Sequence, residues 1–273
     1  MRDNYLSLLA GSSELHQQLK LLRSLRKFGR IAKDTFTEHP QSDWLAELHE
    51  TATGTAGLQS FYYGATIVRL YGLLERFVEE TLAESVRRIA SMAPSYSSLP
   101  EGIRNNHLPL TLEVLGKLST NKYQGKIDEA SLVEKLHSCL SQNGSFSLND
   151  IVFAHHTANF RDEVVRQSFE RIGVRMQKLE SSALMNEAMS QHFPEEANPF
   201  FVIDDLAERR YEVSHGAASQ LLSAEILDSY ISIIESYARA VLDAVTSWLI
   251  LFAVPNIGIE LGRPDRVFRH RIA

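Results

Sequence analysis

The chain has 273 residues, 44% of them hydrophobic and 23% charged, and a formal net charge of -6 at pH 7. This is enough apolar material for one large domain or two small ones, and too much for a disordered chain. The acidic balance excludes a protein that coats nucleic acid by bulk charge, so any such contact has to come from a local basic patch.

A single cysteine, Cys139, excludes an internal disulfide framework and a Cys-based zinc cluster, and it fits a reducing compartment. Asp3 falls where a signal peptide would need its apolar region, and no cleavage pattern follows. The late charge-free stretch from Ala244 to Asn256 is too short to span a bilayer. The expectation is a soluble, cytoplasmic protein with no membrane partner.

Helical periodicity dominates, and strand-like alternation is nearly absent. A first helix is expected over about Ser13 to Phe36, with Leu15, Leu19, Leu22, Leu25 and Phe28 near one face. Its remaining surface is basic, carrying Lys20, Arg23, Arg26, Lys27, Arg30 and Lys33. That surface reads either as a solvated face or as an arm for phosphate or a partner. A polar stretch with Pro40, Gly54 and Gly57 reads as a linker.

A long helix is expected from Leu58 to Met92, with Phe61, Ala65, Val68, Tyr71, Val78, Leu82 and Ile89 forming an apolar stripe. Glu75 interrupts that stripe, and periodicity alone places it at the edge. Pro94, Pro100 and Gly102 end the helix, and Asn106 and His107 are expected in a polar turn. Shorter helices follow over Leu110 to Leu118, Asp128 to Leu140, Asn159 to Gln177 and Ser182 to Gln191. Asp128 is the N-cap of the second, and Asp162 and Glu163 sit in the first turn of the third.

The next helix runs from Pro199 to Ser214, with Gly216 positioned to end it. The last begins after Ser223 and carries Ile226, Tyr230, Ile233, Tyr237, Val241 and Trp248, stopping at Pro255. The remaining tail holds Arg263, Arg266, Arg269, His270 and Arg271.

Residues 206 to 216 carry the chemistry. Arg210 and His215 are separated by four residues. Five helical positions amount to about 7.5 Å of rise and about 140° of rotation, so the two side chains do not share a face. They suit RNA cleavage through the 2′-hydroxyl. A histidine moves the proton to or from an oxygen, and an arginine holds the phosphate bidentately. No metal is needed for that route. One histidine per chain is a shortage if acid and base are separate groups, and a symmetric dimer would supply the second. On spacing alone the pair is a weak signal, and a solvated arginine with a helix-ending histidine is its ordinary explanation.

Three stretches resemble the HEPN superfamily, all-helical proteins named for higher eukaryotes and prokaryotes nucleotide-binding, in the branch called RiboL-PSP-HEPN. The helix from Tyr63 through Glu75 to Val78, with Phe77 two residues after the acid, resembles the family's opening core helix. Asn159 to Gly173 is similar to a middle helix of the branch. Glu208 to Gly216 resembles its signature, an arginine, four to six residues, then histidine. The likeness covers about residues 58 to 253.

The resemblance implies an antiparallel helical bundle with additional helices, dimerising through its signature helices. It also implies metal-independent endoribonuclease activity, often in toxin–antitoxin or phage-defence systems. Arg210 and His215 then become the catalytic pair, with Arg209, Tyr211 and Glu75 supporting the groove. Tyr211 stands where the family commonly has a small polar residue, and a tyrosine there can hydrogen-bond or stack on a base.

The implied partners are the RNA substrate, a second copy of the chain, and an antitoxin or defence-system protein. No cofactor is implied. A non-catalytic interaction module is the alternative. On this reading, residues 1–57 form a basic helix and linker, 58–254 the helical domain and 255–273 a basic tail. His155 and His156 precede Asp162 and Glu163, but adjacent histidines point apart, and no second ligand pair has a metal-site spacing. No phosphate-binding glycine loop or dinucleotide fingerprint is present.

Overall fold

The computed structural model describes residues 1–36, 38–120, 123–141, 145–156, 159–179, 182–216 and 222–256. The basic residues from Arg263 to Arg271, expected in a tail, lie outside the described residues. Among the described residues there are nine α-helices, several short 3-10 turns and no strand. The all-helical expectation therefore holds.

The bundle is organised on two long helices. α1 is Arg2–Phe28, α2 is Ser42–Gly54 and α3 is Gln59–Met92. α4 is Glu101–Leu115, α5 is Glu129–Leu140 and α6 is Asp162–Glu170. α7 is Ala183–His192, α8 is Phe201–Ser214 and α9 is Ala224–Asn256. α3 and α9 pack against one another, α1 lies across both, α7 covers α9, and α8 sits on α3.

α9 buries Leu227, Ile231, Ile234, Tyr237, Val241 and Val245 in this core. By length and composition its stretch Ala224–Ala253 could cross a membrane. A search for charge-free runs passes over it, because Asp228, Glu235, Arg239 and Asp243 punctuate it. In the bundle, its apolar face is a core face.

Several boundaries differ from the sequence expectation for identifiable reasons. α1 starts eleven residues before Ser13, and its early turns bury Leu8 and Gly11. α2 falls inside the stretch read as linker. Its apolar stripe is short, Leu45, Leu48 and Ala52, and only Ala52 is buried where it leans on α1, while Pro40, Gly54 and Gly57 around it give the stretch the look of a linker.

α4 contains Pro109 and begins at Glu101, so Asn106 and His107 are helical rather than in a turn. His107 is fully buried. Its Nε2 accepts the Asn149 backbone N–H at 3.1 Å, and its ring stacks parallel to Phe153. Burial pushes its pKa down to about 4, so it is a neutral core residue at pH 7.

α6 ends at Glu170 and does not reach Gln177, because the chain turns at Gly173 with φ +94°. Other local expectations hold. Asp128 accepts the Ser131 N–H at 2.9 Å, and Ser223 accepts that of Ile226 at 3.2 Å.

α3 also shows what a heptad stripe does on a straight helix. Phe61, Val68, Glu75, Leu82 and Ile89 recur every seven residues, and such a set drifts by about 20° per heptad. Accordingly Phe61 is 71% exposed and Val68 40%, Glu75 lies at the edge, and Leu82 and Ile89 are buried.

Candidate active site

α8 divides its residues among three directions. Val202, Ile203, Leu206 and Ala207 are buried, and Val213 continues this side at the next turn. Val213 meets α3 where Gly64 has no side chain. A Cβ at position 64 would lie 3.2 Å from Val213 Cγ1, so the glycine permits the close approach of the two helices. Glu208, Tyr211 and His215 lie three and four residues apart along the exposed side.

Arg210 and Arg209 are neighbours in sequence with different surroundings. The Arg210 guanidinium lies over the Tyr71 ring of α3, 5.3 Å from its centroid, a cation–π contact. Tyr71 is itself fixed, because its hydroxyl accepts the Phe160 backbone N–H at 2.8 Å. Burial raises the Tyr71 pKa, the Phe160 bond opposes this, and the nearby charges of Glu75 and Arg210 act in opposite senses. The phenol therefore stays neutral, a platform rather than an acid.

Arg209 bonds through Nε to Asp205 one turn earlier, and Asp205 also accepts the Tyr230 hydroxyl of α9 at 2.6 Å. Burial lowers the Arg209 pKa, the Asp205 carboxylate raises it, and the carboxylate prevails. Asp205 thus ties α8 to α9, and Arg209 holds that carboxylate in place.

His215 ends α8. Its N–H reaches back to the Tyr211 carbonyl at 3.1 Å, and Gly216 follows with φ +68°. That is the left-handed position at which a glycine closes a helix, as the sequence indicated. The imidazole is exposed and packs on the Tyr211 ring, with centroids 4.3 Å apart at 55°. Tyr211, half exposed, is therefore the neighbour of the histidine on the solvent side.

Glu75 lies one turn beyond Tyr71 on α3. Its carboxylate is 3.7 Å from His156 Nε2, and Glu79 is 3.2 Å from the same atom. The structure thus brings Tyr211 to His215, places Arg210 on Tyr71, turns Arg209 toward Asp205, and faces Glu75 to His156. His155 points the other way, toward Tyr123, Lys117 and Glu113, so the two histidines diverge as expected.

Two contributors escaped the sequence reading. Tyr71 counts there only as one member of an apolar stripe, and nothing linear joins it to a residue 139 positions on. Glu79 had no signal beyond its four-residue spacing from Glu75. In chemical terms, the end of α8 offers an exposed proton-transfer group and a permanently charged phosphate-type donor, borne on well-packed helices.

No curated protein and no solved structure shows a significant match to the chain. The RiboL-PSP-HEPN family model matches residues 42–247, so it takes in α2 and everything through most of α9. With three-quarters of its length covered by that one model and an all-helical bundle carrying the Arg210–His215 segment, the chain belongs to the RiboL-PSP-HEPN family.

Proposed function

We propose that the protein is a homodimeric, metal-independent RNA endonuclease. His215 transfers the proton between the 2′-hydroxyl and the leaving 5′-oxygen. Arg210 holds the phosphate and stabilises the charge that develops on it. The products then carry 2′,3′-cyclic phosphate and 5′-hydroxyl ends. Family membership supports a nuclease-type, RNA-related function in general. A toxin or phage-defence effector restrained by a partner protein is the biological setting this reading favours.

The observation that carries the reading is the presentation of His215. It is an exposed imidazole at a glycine-closed helix end, one turn from an arginine held on an aromatic platform. A second copy supports the chemistry by bringing a second imidazole. Leu58 at the N-cap of α3, Phe61 and Val68 on its first half, and Tyr211 on α8 are exposed. Exposed apolar groups in that number on the two helices suit a self-complementary face.

The second reading, a non-catalytic interaction module, is favoured by Tyr211, whose ring packs on the imidazole that would have to react. Cleavage of a mixed RNA pool in EDTA by wild type, Arg210→Ala and His215→Ala separates the two, with product ends mapped. Cleavage with cyclic-phosphate ends, lost in both folded variants, supports the enzyme. No cleavage by purified dimer supports the module.

A further inference from the structure

We propose that Glu75, Glu79 and His156 form a binding site for a divalent first-row transition-metal ion, of which Zn2+ is the type. Three donor atoms, one from each residue, lie within 4.8 Å of one another. Two donors each about 2.05 Å from a tetrahedral ion lie about 3.3 Å apart. The His156 Nε2 separations, 3.2 Å to Glu79 and 3.7 Å to Glu75, bracket that value. The donor set needs only small side-chain adjustments to close on an ion.

The donors are also built into the fold. Glu75 and Glu79 sit four residues apart on α3 and so share one helix face, where two carboxylates repel unless a cation lies between them. His156 comes from the segment after the Asp150–Ala154 turn, which packs along α3. Its side chain is nine-tenths buried and its ring packs, tilted by 33°, on Phe160 with centroids 3.9 Å apart, so packing holds the ring with Nε2 beside the carboxylates.

One imidazole and two carboxylates form a mixed nitrogen and oxygen set. That chemistry suits Zn2+ or Mn2+ over Mg2+, which prefers oxygen ligands and keeps its water. Three protein ligands leave at least one position open. The site lies a turn of α3 beyond Tyr71, and both close the same seam, in which α3 meets His156 and Phe160. A bound ion would therefore fasten the platform on which Arg210 rests. The proton-transfer groups of the proposed nuclease are not among its ligands, so this site stands or falls independently of that activity.

The test uses the full chain, stripped with EDTA and then freed of it, titrated with ZnCl2 by calorimetry and followed by thermal unfolding. The expected result is one equivalent of Zn2+ bound, a midpoint raised by several degrees, and no such rise with Mg2+ at the same concentration. Glu79→Gln keeps the shape and removes a ligand charge. It should weaken Zn2+ binding by about tenfold or more and cancel the rise.

Without metal the same variant should stay folded, because the glutamine keeps the shape of Glu79 and a polar group beside His156 Nε2. If that variant does not fold, the histidine ring nitrogens of wild type provide the readout. The His156 Nε2 resonance should move on adding one equivalent of Zn2+. Absence of stoichiometric binding, equal binding by folded Glu79→Gln, or a stationary His156 resonance while other histidines respond would each overturn the proposal.

Discussion

His107 and His215 place one side-chain type in two opposite settings. His107 sits in α4 with no exposure. It accepts a hydrogen bond from Asn149, stacks on Phe153, and is held neutral by desolvation. His215 caps the end of α8 in solvent, touching one tyrosine of its own helix. The first has been taken over by the core and supports the fold. The second is supported by the fold and left open for chemistry. Burial and backbone setting, more than residue type, decide whether a histidine is structural or available for reaction.

Substitution at the two positions should separate these roles. His215→Ala is expected to lower RNA cleavage by about 10²- to 10⁴-fold. Its unfolding free energy should stay within about 0.5 kcal/mol of wild type, as is usual for exposed positions. Single-turnover cleavage and urea unfolding on the same preparation check both halves. A variant that lost stability and kept activity would break the comparison.

The next effect is a pH dependence owed to His107. Its folded pKa of about 4 lies below the unfolded value of about 6.5, so the unfolded chain binds the extra proton between those pH values. The contribution is fully present above about pH 6.5 and is lost as pH falls toward about 4. It amounts to about 3 kcal/mol from the difference in pKa. Urea unfolding at pH 7 and pH 4 should therefore show wild type losing about that much more than His107→Gln. Parallel curves would mean that the buried imidazole is protonated without penalty.

A smaller effect sharpens the contrast between Arg209 and Arg210. Tyr230→Phe removes the hydroxyl that Asp205 accepts, a hydrogen bond to a charged group, and should cost about 1–2 kcal/mol while Arg209 keeps its carboxylate. Thermal or urea unfolding measures it. A neutral result would mean that the α8–α9 tie is made by apolar packing alone. The smallest is Gly216→Ala, which puts a Cβ at φ +68° and should cost about 1 kcal/mol. Because the strain falls on the residue after His215, cleavage should also drop, measurably but less than in His215→Ala.

The legible parts of the fold were those with local rules. The α3 boundaries, the Asp128 and Ser223 caps, and the helix end at Gly216 follow from periodicity and capping chemistry, and each stands in the structure. α2 was illegible because its apolar stripe, Leu45, Leu48 and Ala52, is short and flanked by Pro40, Gly54 and Gly57, which read as loop. His107 was misplaced because Pro94, Pro100 and Gly102 extend the apparent break too far, while α4 already begins at Glu101 and runs through Pro109.

The site divides the same way. Arg210 and His215 stood out by spacing and by family resemblance. The Asp205–Tyr230 bond, the Tyr71 platform under Arg210 and the contact of His156 with Glu75 and Glu79 join residues 25 to 139 positions apart, which no local pattern records.

The sequence by itself determined an all-helical chain, the segment that carries the arginine and histidine, and the helix end that exposes the histidine. These depend on hydrophobic period, capping and backbone freedom, all of which act within a few residues. Tertiary structure alone decided which arginine lies on an aromatic ring, which histidine is buried, and which carboxylates face an imidazole. Those outcomes depend on desolvation and on contacts between distant helices, which exist only once α3, α8 and α9 have packed together.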